Sequence, residues 1–209
     1  MAAPIPEVVI LRLPLYFRVL TLLQDETEIV SSQELGARLQ ITPAQIRKDL
    51  SYFGKFGIQG KGYKVNQLLG ELRQILGLDR KWSVVLVGVG RLGRAILDYS
   101  TLGPHGFHIT AAFDTDPRQI GKKVGQLIVQ DIAVLSDAVK NQDLNIGIVA
   151  VPPSEAQEVI DRLVSCGIKA ILNYAPAAPA VHSDVRVYNI DPVVALQTLT
   201  YHLKCLSTP

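Results

Sequence analysis

Apolar residues recur at helical spacing in the N-terminal part of the chain. Residues 8–23 carry this spacing, and Pro14 within them predicts either a kink or the start of a fresh helix. Ser31 and Glu34 form a capping-box pattern that predicts a short helix ending at Leu39. Residues 66–78 repeat the helical spacing. This part of the chain is therefore predicted to be mainly helical.

A second short helix is predicted in the sequence QITPAQIRKDLSYFG. Thr42 provides a capping hydroxyl, Pro43 fits the first helical position, and the Gln45 amide is expected to reach back to the Thr42 backbone N–H. The apolar side chains fall in one narrow arc of this helix, which contains Ile46, Leu50 and Phe53. Two short capped helices joined by a turn of about four residues predict a helix-turn-helix, in which the second helix enters the major groove of DNA.

The outer face of this second helix is basic and rich in hydroxyl groups. The formal net charge of the chain is only +2, yet residues 45–64 carry five basic residues against the single acid Asp49, so basic charge is concentrated in this segment. The stretch GKFGIQGKGYKV that follows is glycine-rich and predicts a hairpin, the wing of a winged helix. We predict DNA contacts from Gln45, Arg47, Lys48, Ser51, Tyr52, Lys55 and Lys61. The alternatives are a solvated charged helix with a flexible loop, or a helix-turn-helix that binds no DNA.

The pattern changes at Trp82, where a continuous apolar run to Val87 predicts a parallel strand covered on both faces. A GxGxxG loop and a helix follow this strand, which is the order expected of a dinucleotide-binding fold. The residues of this loop predicted to bind the cofactor are Gly88, Val89, Gly90, Arg91, Leu92 and Gly93. A second strand ends at Asp114, whose carboxylate is predicted to bind the adenine-ribose hydroxyls and to favour NAD(H) over NADP(H).

Three basic residues close to Asp114 weaken that preference: Arg118, Lys122 and Lys123. The alternative at this loop is a Rossmann-like domain that holds no cofactor. Strands and helices continue to alternate, with helices over 131–140 and 153–166 and strands over 145–151 and 170–173, which predicts a doubly wound sheet. Pro152 and Tyr174 follow two of these strands and are candidates for the nicotinamide pocket, with ordinary turn packing as the alternative. Val151, at the end of the first of these strands, is also predicted to bind the cofactor.

Composition is that of an ordinary globular protein, with 48% hydrophobic residues and a mean hydropathy of +0.22. The N-terminus lacks an export-signal pattern, and charged residues and Pro14 interrupt its apolar stretch. Cys166 and Cys205 have no metal-binding spacing and are read as buried small residues or free thiols. We therefore expect a cytoplasmic protein with no metal site.

The histidines are poorly placed for a dehydrogenase. His105 and His108 lie near the start of the second strand, His182 lies in a proline-rich loop, and His202 lies in the last helix. None of these positions suits a catalytic acid or base, and no substrate-binding domain remains in the chain. The sequence favours a protein that measures a dinucleotide rather than one that uses it in chemistry.

Several segments together resemble the bacterial redox-sensing transcriptional repressor family, Rex. They are RKDLSYFGKFGIQGKGY, VGVGRLGRAI, FDTDP, AVPPSEAQ, ILNYAP and NIDPVVALQTL, and they cover nearly the whole chain in order. The resemblance implies a homodimer whose winged helices bind operator DNA when NADH is low and release it when NADH binds. It implies no catalytic residue.

The resemblance also implies a domain plan. Residues 1–79 would be the winged-helix DNA-binding domain, 80–190 the Rossmann NAD(H)-binding domain, and 191–209 a helix that packs between the two domains of the partner subunit. By family resemblance, Arg91, Tyr99 and Asp191 take part in switching. Tyr174 departs from the family pattern, in which Phe is more common beside the nicotinamide. An NAD-dependent oxidoreductase and a CoA-binding module, each using the helix-turn-helix only for dimerisation, are the rival interpretations.

Overall fold

The computed structural model describes residues 5–58 and 60–206, without the side chains of residues 141, 142 and 205. The expectation for Cys205 therefore lies outside the described residues, whereas Cys166 is a partly buried free thiol. The chain divides into two compact units, Met1–Arg80 and Lys81–Pro209. No helix among the described residues combines the length and apolar character needed to cross a membrane.

The N-terminal unit is a winged helix-turn-helix. Its elements are α1 (Glu7–Leu23), β1 (Ile29–Val30), α2 (Ser32–Leu39), α3 (Pro43–Ser51), β2 (Gly57–Ile58), β3 (Gly62–Lys64) and α4 (Val65–Ile75). Strand β3 pairs antiparallel with both β1 and β2, so the β2–β3 hairpin forms the wing. The predicted capping box is present, because Ser31 accepts a hydrogen bond from the Glu34 backbone and Glu34 accepts one from the Ser31 backbone. This confirms the predicted fold of the N-terminal part.

Helix α1 runs through Pro14 without a break. The alternative of a fresh helix start at Pro14 is therefore wrong. Pro14 lies on the exposed side of the helix, where the carbonyl that loses its backbone partner can bind water instead. The opposite side of α1 packs into the core of the unit, through Leu13, Tyr16, Leu20 and Leu23.

The C-terminal unit is a Rossmann-like sheet of seven strands in the order β10-β9-β8-β4-β5-β7-β6. All neighbours pair in parallel except β6 and β7. The strands are β4 (Trp82–Val87), β5 (Phe107–Asp114), β6 (Lys123–Val124), β7 (Leu127–Asp131), β8 (Ile146–Val149), β9 (Ala170–Asn173) and β10 (Arg186–Asn189). The helices are α5 (Arg91–Leu97), α6 (Leu135–Gln142), α7 (Pro153–Ser165) and α8 (Pro192–Leu206).

The chain leaves β4 towards β5 on one side and later returns to β8 on the other side of β4. This reversal of strand order opens a crevice at the carboxyl ends of the strands, where doubly wound folds bind ligands. The predicted doubly wound sheet is confirmed. Three strands of this sheet were not predicted, namely β6, β7 and β10.

The helix expected over residues 131–140 begins later than predicted. Strand β7 ends at Asp131, whose carboxylate caps a short 3-10 turn by accepting a hydrogen bond from the Ala133 backbone at 2.9 Å, and α6 begins at Leu135. Within β7, Ile128 is exposed and Val129 is buried, as in a strand with one covered face. The helix was predicted to begin at Asp131, but the chain there first ends β7 and then makes the 3-10 turn before α6 begins.

Candidate nucleotide cleft and DNA-binding surface

The turn between β4 and α5 depends on two glycines that cannot carry a side chain. Gly88 has φ +94°, and a Cβ there would lie 2.5 Å from the Ala150 carbonyl oxygen. A Cβ on Gly93 would overlap the carbonyl oxygen of Gly88, so helix and strand can pack only because Gly93 has none. Gly90 differs, because a Cβ there would meet nothing within 4 Å. Its open space is where the backbone can approach a ligand.

The Asp114 carboxylate holds this glycine loop in place. One oxygen accepts a hydrogen bond from the Val89 backbone N–H at 2.7 Å, and the other accepts one from the Asp116 backbone N–H at 2.9 Å. Each oxygen keeps a further lone pair for a ligand hydroxyl. Asp114 therefore has a structural role that its spacing from the glycines did not predict, beside the ribose-binding role that the spacing did predict.

A cleft of about 360 Å³ opens beside the glycine loop, between the end of β5 and the loop that follows β8. The predicted cofactor residues that line it are Gly88, Gly90, Asp114, Val151 and Pro152. The polar lining residues that sequence reasoning did not place in the pocket are Thr115, Asp116, Arg118, Gln119 and Glu155. Asp116 and Arg118, which lie two and four positions after Asp114 in the segment FDTDPRQ, were the sequence signal for this part of the lining.

The other predicted cofactor residues lie outside the lining of this cleft. The Val89 side chain is fully buried, so only its backbone N–H contributes to the loop. Arg91 and Leu92 are exposed on the first turn of α5, and Gly93 is buried beneath it. Tyr174 is partly buried against the apolar cluster that contains Leu86 and Ile148.

The three switch candidates are not gathered into one cluster with the cleft lining. Arg91 is exposed, and Tyr99, which is 60% exposed, lines a separate depression of about 310 Å³ with apolar side chains that include Leu97, Leu102 and Phe107. Asp191 caps α8 by accepting a hydrogen bond from the Val193 backbone at 2.9 Å.

Helix α3 separates a packed face from a free face. Ile46 and Leu50 are buried, and the free face carries the predicted DNA contacts Arg47, Lys48, Ser51 and Tyr52, all exposed. The Arg47 guanidinium donates a hydrogen bond to the Ser32 hydroxyl at 2.9 Å, and the Ser51 hydroxyl donates one to the Lys48 carbonyl at 2.7 Å. The basic side chains thus project from a helix whose other side is fixed in the core.

The predicted reach of Gln45 back to the Thr42 backbone is wrong. The Thr42 hydroxyl does accept a hydrogen bond from the Gln45 backbone, but the Gln45 amide instead donates one to the Asp49 carboxylate at 2.6 Å. The amide N–H group donates to a carboxylate one turn along the helix, and a hydrogen bond with an ionised acceptor is stronger than one between neutral groups such as the predicted capping contact. Gln45 therefore enters the proposed DNA surface with its amide already engaged.

Asp49 is completely buried at the joint between α3 and α1. Its carboxylate accepts hydrogen bonds from the Arg12 guanidinium at 2.6 and 2.8 Å and from the Tyr16 hydroxyl at 2.5 Å, in addition to Gln45. Burial alone would raise the pKa of the Asp49 carboxyl, but these hydrogen bonds outweigh it and hold that pKa below its ordinary value. Burial and the bond to Asp49 raise the pKa of Tyr16. Sequence reasoning missed this cluster.

The wing presents Lys61 beside a groove of about 560 Å³ that also borders the starts of α2 and α3. Arg47 and Ser32 line the same groove. Lys61 and Lys55 are both exposed. Basic side chains from the helix and the wing therefore face one concave surface that suits a polyanion.

Comparison with known proteins identifies the family of the chain that carries these two sites. A protein of Chloroflexus aggregans named redox-sensing transcriptional repressor Rex is 52% identical over 199 residues, which is 95% of this chain and 94% of that protein. Redox-sensing transcriptional repressor Rex 1 of Thermotoga maritima is 44% identical over 205 residues, 97% of this chain and 98% of that protein. The chain belongs to the Rex family of redox-sensing transcriptional repressors. The predicted resemblance is confirmed.

Two family models match parts of the chain. One, described as a CoA binding domain, matches residues 79–177, and the other, described as a putative DNA-binding protein N-terminus, matches residues 4–51. The crystal structure of RSP in complex with β-NAD⁺ and operator DNA has a TM-score of 0.90 and 39% identity, and covers 96% of this chain and 93% of its own. The RSP complex with β-NADH has a TM-score of 0.87 and 37% identity, covering 96% and 95%. RSP is a Rex-family repressor.

Proposed function

We propose that the protein is a cytoplasmic transcriptional repressor that binds operator DNA as a homodimer and is released when NADH binds. The observation that carries this is the near full-length match to Rex structures solved with operator DNA and with NADH, in a chain that has both corresponding surfaces. One unit has a dinucleotide cleft beside a glycine turn, and the other has a basic helix and wing.

The cleft is proposed to bind NAD(H). The glycine turn would receive the pyrophosphate at Gly90, and Asp114 would accept hydrogen bonds from the ribose hydroxyls. The remaining proposed contacts are Gly88, Val89 through its backbone, Arg91, Leu92, Gly93, Val151, Pro152 and Tyr174. Tyr174 packs against the apolar cluster and is proposed to present a ring edge to the nicotinamide.

The basic face of α3 and the wing are proposed to bind the operator. Arg47 and Lys48 would contact base edges or phosphates in the major groove, and Ser51 and Tyr52 would bind phosphates. Lys61 at the wing and Lys55 at its base would contact the backbone. The Gln45 amide would have to share its hydrogen-bonding capacity with Asp49.

A homodimer is proposed because α8 exposes an apolar surface that a single chain does not cover. Seven of its large apolar side chains are more than half exposed: Val193, Val194, Leu196, Leu199, Tyr201, Leu203 and Leu206. An apolar helix of this kind marks an interaction surface. Its proposed occupant is a second copy of the chain.

The switch is proposed to depend on the charge of the nicotinamide ring, which is cationic in NAD⁺ and neutral in NADH. A pocket that includes Arg91 and Asp191 would hold the two forms in different poses and favour different dimer geometries, and Tyr99 is proposed to take part in the switch by family resemblance. Moving the DNA-binding population from nearly full to nearly empty needs about 5.5 kcal/mol of differential binding. Two recognition helices must lie about 34 Å apart to enter successive major grooves, so a modest rotation of subunits prevents binding.

Catalysis is not proposed. The curated relatives are repressors, and no histidine is among the residues that line the described cleft. Steady loss of NADH absorbance with candidate substrates would instead support an oxidoreductase. The CoA-binding alternative, to which the name of one family model corresponds, is tested by calorimetry with CoA beside NADH. We expect heat of binding with NADH only.

The deciding experiment is operator binding titrated with NADH. A duplex selected by the purified chain from a random pool is titrated with NADH, with and without excess NAD⁺. We expect NADH to release the duplex and NAD⁺ to oppose the release. Equal binding at every ratio of the two nucleotides would refute the proposed function. Asp191→Ala should raise the NADH concentration needed for release, and an unchanged concentration would remove Asp191 from the switch.

A further inference from the structure

Asp116 and Arg118 form a closed pair directly after Asp114. The Asp116 carboxylate accepts hydrogen bonds from the Arg118 side chain, at 3.1 Å from Nε to both oxygens and at 2.9 Å from Nη2. It also accepts one from the Arg118 backbone N–H at 2.9 Å, which closes the turn. The carboxylate thus fixes the loop and occupies the guanidinium at the same time.

The pair lies in the lining of the nucleotide cleft together with Asp114. Among the described residues that line this cleft, Arg118 is the one cation. Lys122 and Lys123 lie outside the lining, although the charge of Lys122 also acts on Asp116 and helps to lower its pKa. Arg94 donates hydrogen bonds to Gln119 and to the Val89 carbonyl. Arg118 is therefore the side chain of this cleft lining that could donate charged hydrogen bonds to a phosphate on the 2′-hydroxyl of the adenine ribose.

We infer that Asp116 is a second nucleotide-specificity residue, which holds and neutralises Arg118 so that the cleft offers no free cation to the 2′-phosphate of NADP(H). The inference rests on the proposed binding of NAD(H) at this cleft. In Rossmann folds an acid at this strand end selects the ribose hydroxyl, and a nearby Arg accommodates the 2′-phosphate. Here both residue types are present, and the acid at position 116 cancels the base.

The exposure of the two side chains shows why the carboxylate matters. Arg118 is 87% exposed, and its guanidinium donates its described hydrogen bonds to Asp116, which is 29% exposed and is fixed by the turn. An exposed ion pair contributes little stability, so Asp116 acts mainly through its charge and its occupation of the donors. The hydrogen bonds from Arg118 lower the pKa of the Asp116 carboxyl, so the pair is ionised at neutral pH. A 2′-phosphate would meet two carboxylates and no unengaged guanidinium.

Asp116→Asn in the full-length chain tests this inference, because the amide oxygen can still accept the Arg118 backbone hydrogen bond that closes the turn. The measurement is the ratio of NADPH affinity to NADH affinity, from titrations of the fluorescence of the reduced nicotinamide. One charged hydrogen bond gained by the 2′-phosphate raises this ratio about tenfold or more. The double variant Asp116→Asn/Arg118→Ala should lose the gain.

Asp184→Asn is the matched control. It removes the same charge from another exposed pair of this unit, in which Lys169 lies 2.9 Å from Asp184, away from the cleft lining. An unchanged ratio in Asp116→Asn, a gain that survives the Arg118→Ala substitution, or an equal gain in Asp184→Asn would overturn the inference. If the parent chain binds neither nucleotide, the proposed function fails and this inference fails with it. If the parent binds NADH while Asp116→Asn leaves the ratio unchanged, only this inference fails.

Discussion

Substitution of Asp49 tests whether the buried cluster between α1 and the recognition helix α3 holds the N-terminal unit together. Asp49→Ala leaves three donor groups without their acceptor: Arg12, Tyr16 and Gln45. Removing one partner of a buried ion pair costs about 3–5 kcal/mol. Because the Arg12 side chain keeps 19% exposure and can still bind water, we expect the lower end, a loss of about 3 kcal/mol. Asp49→Asn keeps one acceptor oxygen and should lose about 2 kcal/mol.

The assay is denaturant unfolding of the full-length chain with two probes. The single tryptophan, Trp82, belongs to the C-terminal unit, so its fluorescence follows that unit, while helical circular dichroism follows both. We expect an earlier circular dichroism transition in Asp49→Ala and an unshifted Trp82 transition. Glu26→Ala is the control in the same unit, because its pair with Arg38 is exposed and about 0–1 kcal/mol is typical of such pairs. A loss under about 1 kcal/mol in Asp49→Ala would refute the role given to the cluster.

Acid unfolding provides a second check on the same residue. The pKa of Asp49 is lower in the folded chain than its ordinary value of 3.8, so the folded state favours the ionised carboxylate. The stabilisation is complete above pH 3.8 and is lost as the pH falls through the lower folded pKa. In Asp49→Asn the N-terminal unit should therefore lose less stability than the parent on moving from neutral pH to that acid range. Identical pH dependence in the two chains would contradict this.

Three further substitutions test other parts of the structure. Gly93→Ala should abolish NADH binding, because its Cβ would overlap the Gly88 carbonyl, whereas Gly90→Ala should fold normally and weaken nucleotide binding. Calorimetry measures nucleotide binding by the two variants and thermal unfolding measures their stability. Normal NADH binding by Gly93→Ala would contradict the reasoning. Arg47→Ala should weaken operator binding and reduce the slope of log affinity against log salt by about 1 if Arg47 contacts a phosphate, and an unchanged affinity would exclude the contact. Leu199→Asp should shift the chain from dimer to monomer in sedimentation, and an intact dimer would exclude α8 as the interface.

The predictions from sequence succeeded where local patterns decide the structure. The apolar run that became β4 and the capping box of α2 have the predicted limits, because each is determined by neighbouring residues. Strands β6, β7 and β10 were missed because they are short and carry polar residues, so no alternation of useful length marks them.

The candidate sites divide in the same way. The spacing of the glycines and Asp114 predicted much of the cleft lining, since a strand, a turn and a helix place those residues together. The Asp49 cluster could not be predicted, because Arg12 and Asp49 are 37 positions apart and meet only when α1 packs on α3. In the sequence Asp49 appeared only as one acid among basic residues. Local sequence patterns therefore cannot pair Asp49 with Arg12, because only the packing of the two helices brings them together.

The exposed α8 has a consequence for newly synthesised chains. The described side chains of the fifteen-residue helix α8 are exposed, and an isolated helix of this length is marginal in water, so its helical state depends on being covered. Until a second copy covers α8, each newly synthesised chain would expose this apolar helix to proteases and chaperones. Lone copies would then be cleared faster than assembled ones, and the amount of repressor in the cell would be limited by how quickly two chains meet.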